Sequence, residues 1–128
     1  MKESINLGYV KIHYEEPIVY FVFSDNVELG FPEIRELTAS AEKLSNNRPY
    51  LSFSDARVNV NVTHEGRKFA ADINEAPLHR GTAVLVKNTA LKIAANFFMN
   101  FGQPKYPFRA FTDETEAIQW LLKINIEK

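Results

Sequence analysis

Thr82-Ala-Val-Leu-Val86 is a short apolar run bounded by Gly81 and Asn88, the profile of a strand covered on both faces. A helical pattern follows from Asn88 to Phe101, then a second strand signal in Phe108-Arg-Ala-Phe111, then a closing helix from Asp113 to Leu122. Strands separated by helices of this length are parallel strands joined by crossovers. Asn88 is placed to cap its helix and Gly102 to end it, with Leu91, Ala94, Ala95, Phe98 and Phe101 expected to point inward. Phe97 and Met99 lie beside that stripe, which makes this helix unusually apolar. Asp113 with Glu116 has the spacing of a capping box, and Ala117, Trp120, Leu121 and Ile124 supply the apolar face of the last helix.

The same alternation extends toward the N-terminus. Tyr9-Val-Lys-Ile-His-Tyr14 alternates, with Val10, Ile12 and Tyr14 on one face and Tyr9, Lys11 and His13 on the other. Ile18-Val-Tyr-Phe-Val-Phe23 is a continuous β-branched and aromatic run, and Glu15-Glu16-Pro17 between the two fits a hairpin. Phe31, Ile34, Leu37, Ala41 and Leu44 recur at helical spacing behind Pro32, which suits a first turn. Tyr50-Leu-Ser-Phe-Ser54 is a further strand ending near Asp55-Ala-Arg57, while Val58 and Val60 alternate with Asn59 and Asn61 as a strand extension or an ordered loop equally. Thr63 is a helix N-cap, Glu65 suits the positive end of that helix, and Phe69, Ala70 and Ile73 form its buried stripe before Pro77. The expected fold is α/β, ordered β-β-α-β-α-β-α-β-α. It has one mixed five-stranded sheet, mostly parallel with an N-terminal hairpin, flanked by four helices.

At 128 residues the chain fits a single domain over residues 1–128 with a substantial core. Hydrophobic residues make up 45% and charged residues 24%, which is ordinary globular usage. The 15 Lys plus Arg against 16 Asp plus Glu leave a net charge of -1, so nothing draws nucleic acid or an anionic membrane from a distance. Cys is absent, which removes disulfides, thiolate zinc sites and thiol catalysis together. The opening Met1-Lys-Glu-Ser-Ile-Asn6 does not read as a signal peptide, no run approaches a membrane span, and a cytoplasmic setting is expected.

The element order resembles the STAS domain, the fold of bacterial anti-sigma-factor antagonists, and more closely the STAS-like bacterial proteins of unassigned function. The residues that carry the resemblance are Ser54-Asp-Ala-Arg57, Thr63-His-Glu-Gly-Arg67, Ala94-Ala-Asn-Phe-Phe98, and Pro107-Phe-Arg-Ala-Phe111 leading to Ala117-Ile-Gln-Trp-Leu121. It covers nearly the whole chain and implies a role in regulation through protein contacts. STAS antagonists carry Asp-Ser-x-Gly at the start of the second helix, where the Ser is phosphorylated. Here the same place reads Asn61-Val-Thr-His64, with no Ser and no matching Gly. Thr63 can in principle accept a phosphate, and its capping role explains it equally well.

Ser54, Asp55, Arg57, Thr63 and Arg67 are therefore the candidate regulatory or ligand-site residues. Open α/β sheets hold ligands at the carboxyl ends of their strands. Ser24-Asp25, Ser54 to Arg57, Lys87-Asn88 and Thr112-Asp113 are expected there, though each set also has a structural role as cap, ion pair or turn. There is no nucleophile elbow and no Gly-rich phosphate loop, so no catalytic residue is assigned and the expectation is a non-enzyme. His13, His64 and His79 lack metal-ligand spacing and are expected at the surface, with His79 in a loop beside Arg80; no metal or cofactor is expected. Phe97, Phe98, Met99 and Phe101 are candidate contacts for a partner or an apolar ligand, and a homodimer is the favoured reading. The alternative is a small-molecule or lipid-binding module with an apolar pocket between helices and sheet.

Overall fold

The computed structural model describes residues 3–71, 76–102 and 106–126, and of 70–71 and 98–102 the backbone alone. Eight strands and four helices follow in the order β1 (Ser4–Asn6), β2 (Val10–Glu15), β3 (Ile18–Phe23), β4 (Val27–Leu29), α1 (Phe31–Leu44), β5 (Tyr50–Asp55), β6 (Val60–Val62), α2 (His64–Ala71), β7 (His79–Leu85), α3 (Thr89–Gly102), β8 (Phe108–Phe111) and α4 (Glu114–Leu122). The main sheet runs β1-β2-β3-β5-β7-β8. β1, β2 and β3 pair antiparallel, and β3, β5, β7 and β8 pair parallel. The α/β class, the N-terminal hairpin and the four helices match expectation. The sheet has six strands instead of five, because Ser4–Asn6 adds an edge strand too short to leave a periodic signal.

The ambiguous Val58–Val60 stretch resolves into a separate element. Val60–Val62 forms a parallel pair with Val27–Leu29, away from the main sheet. Asp25 prepares this pair: its Oδ1 accepts from the backbone N–H of Asn26 and of Asn59, each at 3.0 Å.

The core lies in two layers. On one face Val10, Ile12, Val19, Phe21 and Tyr50 pack with Leu37, Ala41 and Leu44 of α1. On the other, Ile18, Leu51, Phe53, Ala83, Leu85 and Phe111 pack with Ala117 and Leu121 of α4. α2 joins the first layer through Phe69, whose ring meets Phe31 edge-on at 4.7 Å, so Phe31 is anchored although 43% exposed. α1 begins as its sequence dictates: Glu33 Oε1 accepts from Gly30 N–H at 2.8 Å, and Pro32 occupies the first turn.

α3 departs from expectation. Leu91 and Ala94 face solvent instead of the core, and Ala95 is only half-buried. Phe98 and Phe101 belong to the side chains outside the described set, as does Met99, and Ile73 lies outside the described residues. α3 runs against the outer strand β8, and its inward contact is polar: Asn96 Oδ1 accepts from Ala110 N–H at 2.8 Å, while Nδ2 donates to the Ala110 carbonyl at 3.3 Å. An edge strand offers such unpaired groups, so a carboxamide can anchor the helix where the notional apolar stripe does not.

Candidate functional site

Val22, Asp55, Leu85 and Phe111 stand side by side at the carboxyl ends of the parallel strands, the crevice where a ligand site is expected. Asp55 and Arg57 form the predicted pair with two-point geometry, Nε to Oδ1 at 2.9 Å and Nη2 to Oδ2 at 2.7 Å. The hydrogen bond from Arg57 holds the Asp55 carboxyl below its ordinary value against the opposing effect of burial, and the same bond raises Arg57. Both ionic partners are thus satisfied by each other.

The other candidates do not join this pair. Ser54 points to the opposite face of β5, because alternation places it with Tyr50 while Asp55 lies with Phe53. Thr63 caps α2, its Oγ1 accepting from Gly66 N–H at 3.0 Å, and Arg67 Nη1 donates to the Val62 carbonyl at 2.8 Å. Among the described residues no hydrogen bond or ion pair links Thr63 or Arg67 to Asp55 or Arg57. Asn88 and Asp113 act as caps too, accepting from Leu91 N–H at 2.9 Å and Glu116 N–H at 3.1 Å.

A second polar group, unforeseen in the sequence, lies at the opposite end of the sheet. Ser52 donates to Thr82 Oγ1 at 2.5 Å, and its oxygen is 2.8 Å from His79 Nε2. With the hydroxyl proton committed to Thr82, the Nε2–H tautomer of His79 completes the contact. The His79 ring stacks on Tyr50 at 5.3 Å and packs against Tyr106 at 4.2 Å. His79 is therefore the first residue of a strand and half-buried, not a surface loop residue, which corrects the expectation. Burial lowers its pKa from 6.5 to about 4, Arg80 pushes in the same direction, and a backbone hydrogen bond at Gly81 opposes them. Burial also pushes Tyr106 up to about 12.

The cause of this grouping is a register irregularity. Tyr50 pairs with His79 and Ser52 with Thr82, so β7 spends three residues where β5 spends two. A regular strand would send positions 79 and 82 to opposite faces; the extra residue returns both to the Ser52 side. The available sign was Gly81 within a strand pattern, a frequent mark of a bulge. A Cβ there would stand 2.7 Å from Ile124 Cδ1, so close packing against the segment that follows α4 also favours glycine.

Of the remaining histidines, His64 is exposed as expected. His13 is half-buried, stacked on Tyr20 at 4.6 Å with Glu15 at 3.5 Å. Among the described residues no three His, Asp or Glu side chains gather as a metal site. Glu3, Tyr14, Lys43, Leu44, Asn46 and Arg48 line a mainly polar surface depression of about 260 Å³. No helix of the described residues is long and apolar enough to cross a membrane. On α3, Ile93 is 64% and Phe97 59% exposed.

A mixed sheet with an N-terminal hairpin, parallel crossovers and a closing helix on the far face is a SpoIIAA-like, or STAS-like, architecture. The crystal structure of an uncharacterized protein of the DUF3478 family from Shewanella loihica PV-4, described as having a SpoIIAA-like fold, superposes with a TM-score of 0.60 over 94% of this chain and 95% of that one, at 12% identity. The chain belongs to the DUF7793 family, a domain of unknown function whose model matches residues 12–125. No curated protein matches the sequence.

Proposed function

We propose that this chain is a non-enzymatic, cytoplasmic interaction domain of STAS-like type, acting through protein contacts instead of turnover. One observation carries the reading: five polar side chains at or just past the carboxyl ends of the strands are committed to internal bonds. Asp25 braces the β4–β6 pair, Asp55 holds Arg57, and Thr63, Asn88 and Asp113 cap helices. A catalytic constellation needs a nucleophile or base left facing a substrate, and these groups are bonded to backbone N–H groups or, for Asp55, to the Arg57 side chain. Ser52 and His79 are within hydrogen-bond reach, but Ser52 is only 4% exposed and already donates to Thr82.

The pocket reading has less support, since the depression around Tyr14 and Arg48 is mainly polar and lies at the surface. A broad hydrolase and transferase screen of purified protein tests the proposal. No turnover is expected; turnover that disappears in Asp55→Asn or Ser52→Ala would overturn it. Native mass spectrometry of the fresh preparation gives a second check, because a reproducible co-purifying small molecule would favour the pocket instead.

A further inference from the structure

We propose that the polar depression between the C-terminal turn of α1 and the β1–β2 hairpin binds a small zwitterion of the free α-amino acid class. Glu3, Tyr14, Lys43, Leu44, Asn46 and Arg48 line a volume of about 260 Å³ there. Ligand cavities usually span about 300–1,000 Å³, so this one suits a small metabolite and no larger molecule. Backbone hydrogen bonds hold both walls. The Glu3 carbonyl accepts from Tyr14 N–H at 3.2 Å, extending the β1–β2 ladder. The turn after α1 is closed by Asn46 N–H on the Lys43 carbonyl and Arg48 N–H on the Ser45 carbonyl, each at 3.2 Å.

The lining side chains are uncommitted. Among the described residues, none of the Lys43 ammonium, the Glu3 carboxylate, the Tyr14 hydroxyl and the Asn46 carboxamide makes a hydrogen bond or an ion pair. Asp25, Asp55, Thr63, Asn88 and Asp113, by contrast, are all bonded internally. Arg48 has a partner in Glu16 at 3.3 Å, but the two side chains are 60% and 63% exposed. Such a pair is weak, and the guanidinium can exchange Glu16 for a carboxylate that it meets at two points. The Tyr14 phenol registers these charges: burial raises its pKa most, Glu16 adds to the rise, and Arg48 opposes it.

The balance of charge selects the occupant. Lys43 and Arg48 supply two positive charges, and Glu3 and Glu16 two negative ones. Inorganic phosphate would meet both carboxylates, and a diamine both cations. A molecule with one carboxylate and one ammonium finds a complement for each, Arg48 and Lys43 for the first and Glu3 for the second. Buried Leu44 gives its carbon body an apolar wall, and Tyr14 and Asn46 offer further donors and acceptors. Because Lys43, Asn46 and Arg48 are exposed, the occupant exchanges readily with solvent and is not retained through purification.

Amide chemical shifts of the labelled chain test the site, with neutral α-amino acids added singly up to about 10 mM, enough to reveal millimolar binding. At least one should shift Tyr14 and the segment from Lys43 to Arg48, while acetate and methylamine, each carrying one of the two charges, bind at least about tenfold more weakly. Arg48→Gln and Lys43→Gln should each weaken binding at least about fivefold, and Glu16→Gln, which frees the guanidinium, should tighten it. Lys92→Gln, on α3 at the other edge of the sheet, should bind as the unaltered chain does. No shift from any amino acid, shifts confined to other segments, equal binding of acetate, or affinity unchanged in Arg48→Gln would each overturn the site. Its failure leaves the interaction-domain reading standing, whereas turnover in the enzyme screen removes that reading and not the site.

Discussion

Asn96 of α3 binds both backbone groups of Ala110, taking its N–H at 2.8 Å and giving to its carbonyl at 3.3 Å. One carboxamide thus substitutes for a neighbouring strand at the outer edge of the sheet. It also sets which side of α3 faces inward, and so which apolar residues are left outside.

Replacing Asn96 by Leu should leave the two Ala110 groups unpaired and the edge open. The expected cost is about 1–3 kcal/mol, read as a lower urea midpoint, together with faster aggregation on mild heating. Asn96→Asp keeps an acceptor for the N–H but sets a carboxylate against the carbonyl, so it should be no better. Unchanged stability in both variants would remove the edge role.

His79 makes stability depend on pH. Its folded pKa of about 4 lies below the ordinary 6.5, so the unfolded chain takes up the proton first. The contribution is complete above about pH 6.5 and is lost as pH falls toward about 4, amounting to roughly 2–3 kcal/mol over that window. His79→Gln can still donate to Ser52 but cannot titrate. Its denaturation midpoint should fall less than that of the unaltered chain between about pH 7 and about pH 4.5, and parallel curves would exclude the imidazole as the cause.

Two glycines should respond differently to alanine. A Cβ on Gly66 would sit 2.6 Å from the Leu29 carbonyl oxygen, which already accepts from Thr63 N–H at 2.9 Å. Backbone on both sides cannot yield cheaply, so Gly66→Ala should cost about 1–3 kcal/mol and loosen the α1–α2 junction. At Gly81 the nearest atom is Ile124 Cδ1, the far end of a side chain, and rotation of Ile124 should hold the loss of Gly81→Ala below that of Gly66→Ala. Thermal melts of the two variants give the comparison directly.

The Asp55–Arg57 pair should be locally ordered yet modest in energy, because the Arg57 side chain is 52% exposed. Arg57→Ala is expected to lower stability by less than about 1 kcal/mol in urea unfolding. Asp55 is held below its ordinary value of 3.8, so its share is present above that pH and fades only in stronger acid, below the window in which His79 acts. A larger loss from Arg57→Ala at neutral pH would mean that the guanidinium has a further structural partner.

What the sequence determined by itself was local or periodic. Thr63, Asn88 and Asp113 are caps because each bonds an N–H three residues ahead, and Asp55 meets Arg57 two residues away. Such contacts need only the chain's own geometry, so residue type and spacing suffice to read them. Strand and helix periods likewise indicated the N-terminal hairpin and the parallel crossovers. Only the tertiary structure could decide that His79 meets Ser52 across 27 positions, since one extra residue in β7 changes the face on which it lies. It also decided that the apolar stripe of α3 faces outward. The pattern of Ala90, Ile93, Ala94 and Phe97 reads the same whether the core or a second surface covers it. The choice was made 14 residues away, by the open backbone of Ala110 that Asn96 binds.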